Sequence, residues 1–259
     1  MVTTAPRRPQ HSATGSAPGA TPACVRVVTF NASSLRRLEA TRDMLASLDA
    51  AVICLQEVLV ERRREPRNQA EWLARELGYH CAFNADWRRT RGAGGNAILA
   101  RAPLTDVGTL ADRTGHSFAL TALQEIGGVR LAVIAAHCLQ VPRAPLRYLR
   151  SILDRAAQMR QLVSWVRAAR LPCILGGDLN ALPCSPEYWT VARGMTDCTR
   201  AVAMKSRSTR PTLGLPTQLD YIFATPEFRI RACRMIETEL SDHRPVVADL
   251  EIGPPGRAA

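Results

Sequence analysis

Short apolar runs, each bordered by a polar residue capable of chemistry, recur along the chain. Val25–Phe30 is followed by Asn31, Ala51–Gln56 by Glu57, and Leu131–Ala136 by His137. Cys173–Leu175 leads through Gly176-Gly177 to Asp178 and Asn180. Asp220 precedes Tyr221–Ala224, and Ser241-Asp242-His243-Arg244-Pro245 precedes Val246-Val247-Ala248-Asp249-Leu250. Apolar runs of about four to eight residues bounded by turn residues read as buried strands. Polar residues at so many strand ends predict a site assembled from many strands.

Further strands are predicted at Tyr79–Asn84, Asn96–Ala100, Ser117–Glu125, Val129–Ala136, Cys173–Gly177, Leu219–Ala224, Arg229–Glu237 and Val246–Glu251, with Gly127-Gly128 as a two-residue hairpin signal. Helical spacing appears in Leu35–Leu48, with Leu35, Leu38, Leu45 and Leu48 on one side, and in Gln69–Leu77, which stops at Gly78. The longest helix is expected from about Leu146 to Arg170, ahead of Pro172. Its apolar stripe is Leu149, Ile152, Leu153, Ala156, Met159, Leu162, Val163 and Val166. Mixed strand order with one helix layer per half predicts an α/β protein of two packed sheets flanked by helices.

With 259 residues, 46% of them hydrophobic, the chain can bury a sizeable core in one main domain. Residues 1–23 are rich in Pro, Ala, Ser, Thr and Gly and are expected to be a disordered tail; the domain is expected over 24–253 and a second tail over 254–259. No apolar run approaches the roughly 18–20 residues of a membrane span, and no apolar segment follows the basic N-terminus. A cytoplasmic monomer without stable membrane insertion is expected. The eight cysteines form no Cys-x-x-Cys pair, and Cys54 and Cys173 fall inside apolar strands, where a reduced thiol packs as a small hydrophobe. The formal net charge is +11, with Lys205 the sole lysine. Such a charge suits polyanions, from nucleic acid to anionic lipid.

The candidate residues suit phosphoester chemistry. Glu57 is a hard oxygen ligand of the kind that holds Mg²⁺ together with water and substrate phosphate. Asn31 can add an amide oxygen or position water. Asp178 can accept a proton from water, and Asn180, from the same turn, can hold that water or a phosphate oxygen. Asp220, on a strand expected to run beside the final one, can orient His243 and raise its basicity.

Seven segments, in order, resemble the motifs of the endonuclease/exonuclease/phosphatase superfamily: Phe30-Asn31, Leu55-Gln56-Glu57-Val58, Gly95-Asn96-Ala97-Ile98-Leu99, Ala136-His137, Gly177-Asp178-Leu179-Asn180, Leu219-Asp220-Tyr221-Ile222 and Ser241-Asp242-His243-Arg244-Pro245. The resemblance implies a four-layer αββα sandwich and Mg²⁺-dependent cleavage of a phosphoester by in-line attack of water, with Mn²⁺ as the alternative ion. It implies that Glu57 binds the metal with Asn31 and Asp242, that Asp178 activates the water and Asn180 holds it, and that His243, paired with Asp220, stabilises the phosphate or acts as acid. His137 supplies a second imidazole. It favours the branch that includes deoxyribonuclease I, sphingomyelinases and inositol polyphosphate phosphatases over abasic-site endonucleases resembling exonuclease III. Deoxyribonuclease I pairs the equivalent histidine with an acidic residue; here Asn96 is the nearest candidate, which implies that His137 orients phosphate without shuttling protons.

Four loops expected near the strand ends are basic: Arg62-Arg63-Arg64 with Arg67, Trp87-Arg88-Arg89 with Arg91, Arg143 with Arg147, and Lys205 with Arg207 and Arg210. Arranged around a cleft, with Arg88, Arg91, Arg143 and Asn96 as substrate contacts, they suit a nucleic-acid backbone, and Trp87 can stack on a base. A nuclease is therefore the first expectation. A phosphoesterase acting on a phospholipid or inositol phosphate is the alternative, and an abasic-site endonuclease the third. A binding protein that kept the fold without catalysis is disfavoured because every catalytic motif position is filled.

Overall fold

Val25 and Val27 of the first strand face one way and Val28 and Phe30 the other, and the two sets join different apolar clusters. The same alternation runs through the whole molecule. A computed structural model describes residues 23–33, 35, 37–61, 67–89, 92–140, 145–204, 208–212 and 215–253, without the side chains of 86–89, 92, 145–149, 211, 212 and 215. The expected tails lie outside the described residues, apart from residue 23 of the first.

In chain order, the first half comprises β1 (Ala23–Asn31), α1 (Leu38–Leu48), β2 (Val52–Glu61), β3 (Arg67–Asn68), α2 (Gln69–Leu77), β4 (His80–Arg89), β5 (Gly92–Ala100), β6 (Thr105–Ala111) and β7 (Ser117–Ile126). The second comprises β8 (Val129–His137), α3 (Pro145–Ala169), β9 (Cys173–Asp178), α4 (Pro186–Ala192), β10 (Thr196–Asp197) and α5 (Cys198–Ala201). It closes with β11 (Arg210–Thr212), β12 (Leu215–Thr217), β13 (Asp220–Ala224), β14 (Phe228–Met235) and β15 (Val246–Ile252). Among the described residues, one sheet has the order β14-β15-β1-β2-β5-β4, with β3 beside β2, and the other β10-β13-β9-β8-β7-β6. A ribbon, β11-β12, stands apart.

Three apolar layers hold this stack. Val25, Val27, Val52 and Ile98 meet Leu120, Val133, Ile174 and Ile222 between the sheets. Leu38, Leu45, Ala70 and Leu73 of α1 and α2 cover the outer face of the first sheet, and Met159, Leu162, Tyr188 and Val191 of α3 and α4 that of the second. The result is the expected four-layer αββα sandwich. Each fully buried large side chain contributes roughly 1.5–3 kcal/mol, so the central layer makes the facing edges of the two sheets a fixed frame.

Local signals account for the boundaries. Asn68 caps α2 by accepting from the Ala70 and Glu71 N–H groups, and Gly78 ends it at φ 71°. Gly127 and Gly128, at φ 59° and 76°, make the tight turn between β7 and β8. Helix α1 begins three residues later than its leucine spacing predicts, because Ser33 and Leu35 adopt positive φ and turn the chain first. Leu153, expected in the α3 stripe, is 68% exposed; Ser151, Arg155 and Gln158 take the buried face there. Strand β13 does not run beside the final strand. It pairs with β9 and β10 in one sheet, while β15 pairs with β1 and β14 in the other. No helix among the described residues is long and apolar enough to cross a membrane.

Candidate active site

Side chains that alternate toward the central layer emerge, at one end of the sandwich, as the polar residues picked out above. In the second sheet His137 is the register partner of Asp178, and Asp178 that of Asp220, which puts three functional groups in one row across β8, β9 and β13. Asn31, at the end of β1, continues the face of Val25 and Val27. A Cβ on Gly176 would meet Cys54 and Thr29 of the first sheet within 3.2 Å, so the sheets approach closely just behind this row.

Glu57 reaches the cleft by a different route. Strict alternation would send it to the helix side with Ile53 and Leu55. Between Leu55 and Val58, however, β2 spends two residues where β5 spends one, and Glu57 takes φ 57°. This bulge returns Val58 to the helix-side layer and turns the Glu57 carboxylate toward Asn31 and His137.

The groups converge on one oxygen. Asn31 Nδ2 donates to Asp178 Oδ2 at 3.0 Å and to Glu57 Oε1 at 3.4 Å. The Nε2 atoms of His137 and His243 each lie 3.8 Å from that same Asp178 Oδ2, and His137 Nε2 is also 3.8 Å from Glu57 Oε1. These separations are too long for hydrogen bonds but within the range of charge pairing. His243 Nδ1 lies 2.8 Å from Asp220 Oδ2. The pair forms across the two sheets and not within one, as the strand assignment corrected above requires.

Electrostatics separates the two aspartates and the histidine. Burial, reinforced by the charge of Asp220, pushes the Asp178 carboxyl up to about 6, against the pull of His137, His243 and Asn31. For His243, burial lowers basicity, but the Asp220 charge and hydrogen bond, aided by Asp178 and Asp242, override it and raise the imidazole to about 9. His243 is therefore a cation at neutral pH. At Asp242 burial raises the carboxyl, yet His243 and Arg210 hold it below its ordinary value.

The remaining candidates occupy distinct places. Asn180, at φ 49°, donates its N–H to Asp178 Oδ1 and its side-chain amide to the Cys138 carbonyl, both at 3.0 Å. Asn96 donates to the Phe118 carbonyl at 3.3 Å, and its buried Oδ1 has no partner among the described residues. Asp242 stands at the rim, half exposed and paired with Arg210 at 2.9 Å. Its neighbour Ser241 ties the loop down, donating to the Asn31 carbonyl and accepting from the His243 N–H.

Asp178, Asp220 and His243 bring ligand atoms within 4.8 Å of one another. A protonated His243 held by Asp220 is nonetheless a poor ligand, whereas buried carboxylates that repel each other suit a divalent cation. Glu57 and Asp178 carry hard oxygens of the kind that could hold such an ion. Asn31 Oδ1 accepts from the Ser33 N–H at 3.1 Å, so its NH₂ faces the carboxylates; to give oxygen to a cation it must turn its amide over.

A sequence profile of the Endonuclease/Exonuclease/phosphatase family matches residues 28–243. The chain belongs to this family. Its members are phosphoric ester hydrolases, nucleases and phosphatases that typically depend on a divalent metal. Among solved structures, an endonuclease/exonuclease/phosphatase from Beutenbergia cavernae is similar at TM-score 0.73 and 23% identity, over 89% of this chain and 72% of that one. The 3′ phosphatase NExo from Neisseria, bound to a product DNA hairpin, is similar at TM-score 0.63 and 20% identity, over 86% and 98%. An AP endonuclease from Archaeoglobus fulgidus is similar at TM-score 0.66 and 21% identity, over 86% and 98%. No curated protein matches the chain in sequence.

In this member of the Endonuclease/Exonuclease/phosphatase family, Arg91 and Arg143 lie outside the described residues, as do Arg62-Arg63-Arg64, Lys205 and Arg207, and the side chains of Trp87, Arg88 and Arg147 are not described. Arg67 pairs with Glu61. Thr209 is a functional position that sequence reasoning missed. Its buried Oγ1 accepts from the Leu219 and Asp220 N–H groups at 2.9 and 3.1 Å, and its carbonyl accepts from the Arg244 N–H at 2.7 Å. It thus fastens the backbone on both sides of the Asp220–His243 pair. A threonine in a polar loop carries no sequence signal of that task.

Proposed function

We propose that this family member is a Mg²⁺-dependent phosphodiesterase that hydrolyses the backbone of DNA or RNA, with Mn²⁺ as a competent substitute. The observation that carries the reading is the convergence on Asp178 Oδ2 of the Asn31 amide at 3.0 Å and of two imidazole Nε2 atoms at 3.8 Å, one of them on the Asp220-held His243. A buried carboxylate oxygen beside two imidazole nitrogens is suited to directing the attack of water on a bound phosphate.

In this mechanism Asp178, oriented by Asn31 and by the Asn180 N–H, takes a proton from water as the water oxygen forms its bond to phosphorus. The bond from phosphorus to the leaving oxygen breaks, and His243 Nε2 gives its proton to that oxygen while Asp220 keeps the ring in place. His137 directs its Nε2 at a non-bridging phosphate oxygen. Glu57, with Asp242 at the rim, would hold a divalent cation, which would supply Lewis-acid polarisation and charge neutralisation.

A nucleic-acid substrate is supported by where the chain turns. The β4–β5 hairpin passes the level of the site, where Asn84 faces Asn96, and continues through Trp87, Arg88 and Arg89 toward Arg91. Residues 62–66 follow Glu61 at the tip of β2, and 141–144 follow the end of β8. Three of the four basic segments thus lie next in sequence to β2, β5 and β8, the strands that carry Glu57, Asn96 and His137. The DNA-bound Neisseria relative is consistent with such a ligand. One observation favours a second reading: Leu139 and Leu182, in the segments following His137 and Asn180, are 40% and 43% exposed, and apolar side chains beside a site suit the tail of a phospholipid.

The deciding experiment incubates the protein with supercoiled plasmid in Mg²⁺ or EDTA beside His243→Ala. Metal-dependent nicking abolished in the variant is expected. Absence of nicking by folded, metal-replete protein, tested next on single-stranded RNA, would remove the nuclease reading and direct attention to phospholipid and inositol phosphate.

A further inference from the structure

The helical layer behind the second sheet holds a buried polar cluster that the chemistry above does not use. Arg155 of α3 is 3% exposed and pairs with Glu187 of α4 at 3.1 Å, itself 2% exposed. Arg155 Nη1 donates to the Leu139 carbonyl and to Ser151 Oγ, each at 3.4 Å. Gln158, one turn along and also buried, accepts the Leu139 N–H at 3.0 Å. Both backbone groups of Leu139 are therefore held by side chains of one helix.

The adjoining residue is held from the opposite direction. The Cys138 N–H donates to the Asp178 carbonyl at 2.9 Å, and the Cys138 carbonyl accepts from Asn180 Nδ2 at 3.0 Å. Two consecutive peptides directly after His137 thus have all four backbone groups engaged, two by β9 and its turn and two by α3. Cys138–Leu139 is a connecting segment, of a kind ordinarily more mobile than the strand it follows. Here it is clamped, and the residues it joins are His137 and the turn that carries Asp178 and Asn180.

Stability alone does not account for such a cluster. Burying an arginine and a glutamate carries a large desolvation penalty for each ion, and well-packed apolar replacements of buried pairs are often neutral or stabilising. What the ion pair does supply is direction: with Nη2 held by Glu187 Oε1, Nη1 of the planar guanidinium is turned toward the Leu139 carbonyl.

We propose that Arg155 and Gln158, with Glu187 as anchor, are positioning residues for the active site. They fix the Cys138–Leu139 segment, and through it the His137 imidazole and the Asn180–Asp178 turn. The helical layer is in this way part of the catalytic frame. The inference takes the meaning of the site from the phosphodiesterase reading, while the clamp itself stands on geometry.

The test uses Gln158→Met, which keeps length and apolar bulk but removes the acceptor; Gln158→Glu, which keeps it; and the double replacement Arg155→Met with Glu187→Leu, which removes the ion pair without stranding a charge. Hydrogen exchange of the metal-free protein is measured residue by residue, together with hydrolysis of a simple phosphodiester in Mg²⁺. In Gln158→Met and in the double variant, the Leu139, Cys138 and Asn180 amides are expected to exchange at least about tenfold faster, with the centres of α3 and β9 unchanged. The kcat is expected to fall about tenfold with KM within about twofold, Gln158→Glu restores it, and on a His137→Ala background the Gln158→Met loss shrinks to under about threefold. Faster exchange confined to Leu139 with kcat unchanged, or an equal tenfold loss with and without His137, would overturn the proposal. If the wild type proves inactive on phosphodiesters, the functional reading falls, and the exchange data alone decide the clamp.

Discussion

At Glu57, one residue in the left-handed region decides which side of a sheet its carboxylate serves. Without the bulge it would lie among the leucines of the outer layer; with it, the group faces Asn31 and His137. Glu57→Gln keeps shape and hydrogen bonding while removing charge. It is expected to lower the Mg²⁺-dependent rate by roughly 10²–10³ and to raise the Mg²⁺ concentration needed for half-maximal rate, with little change in thermal stability; a metal titration of the rate checks this. His243 makes a pH-dependent contribution whose sign is fixed. Its folded-state value, about 9, lies above the ordinary 6.5, so the stabilisation from Asp220 is complete below pH 6.5 and disappears as pH rises through about 9. Asp178, raised to about 6 from 3.8, acts in the same direction at lower pH. In EDTA, the wild type is expected to lose on the order of 2–3 kcal/mol between pH 6 and 9.5 beyond what His243→Ala loses. Parallel melting curves for the two proteins across that range would contradict the assignment.

Among the elements, β8 and β9 approach each other closely near the site. A Cβ on Gly177 would lie 2.1 Å from the Ala136 carbonyl oxygen, between the positions that lead to His137 and Asp178. Gly177→Ala must push these strands apart. A loss of about 1–3 kcal/mol in urea unfolding is expected, with a larger proportional loss of activity than of stability, because the displaced atoms carry the reacting groups. In the sequence this glycine is part of the Gly176-Gly177 lead into Asp178, and in the structure its role is close contact. Other elements divide along the same physical line. Strands such as Cys173–Asp178 announce themselves because both faces are buried, and their end residues were found by following the apolar run. The outer part of the β4–β5 hairpin was missed because Gly92-Ala93-Gly94-Gly95 has no apolar pattern to read. Strand β6 was missed because most of its residues are exposed at a sheet edge, and α4 because seven residues are too few to establish a period. The Asp220–His243 contact was inferred correctly from chemistry but placed within one sheet. Which strands share a sheet depends on contacts far apart in sequence, and local patterning does not encode them.

For the whole molecule, the net charge of +11 acquires meaning from where the chain turns. Several described arginines on the body are matched: Arg26 pairs with Asp249, Arg101 with Asp49, Arg130 with Asp106 and Arg231 with Glu251. Arg62-Arg63-Arg64, Arg91 and Arg143 lie outside the described residues, in segments that follow β2, β4 and β8 in the sequence. If a polyanion is held there along its backbone, each phosphate contact releases condensed counterion, and the logarithm of affinity falls linearly with the logarithm of salt concentration. Replacing Arg62-Arg63-Arg64 with serines is expected to weaken binding of the catalytically silent His243→Ala protein to a DNA duplex. It should also lower the magnitude of the salt slope by about 0.9 for each phosphate contact removed. Fluorescence anisotropy between about 50 and 200 mM salt measures both quantities. A slope unchanged by the replacement would mean that these arginines serve solubility and that the polyanion lies elsewhere. A slope reduced along with affinity would tie the charge of the chain to the cleft and identify the extended phosphate backbone, over a single phosphate group, as the ligand for which the sandwich is arranged.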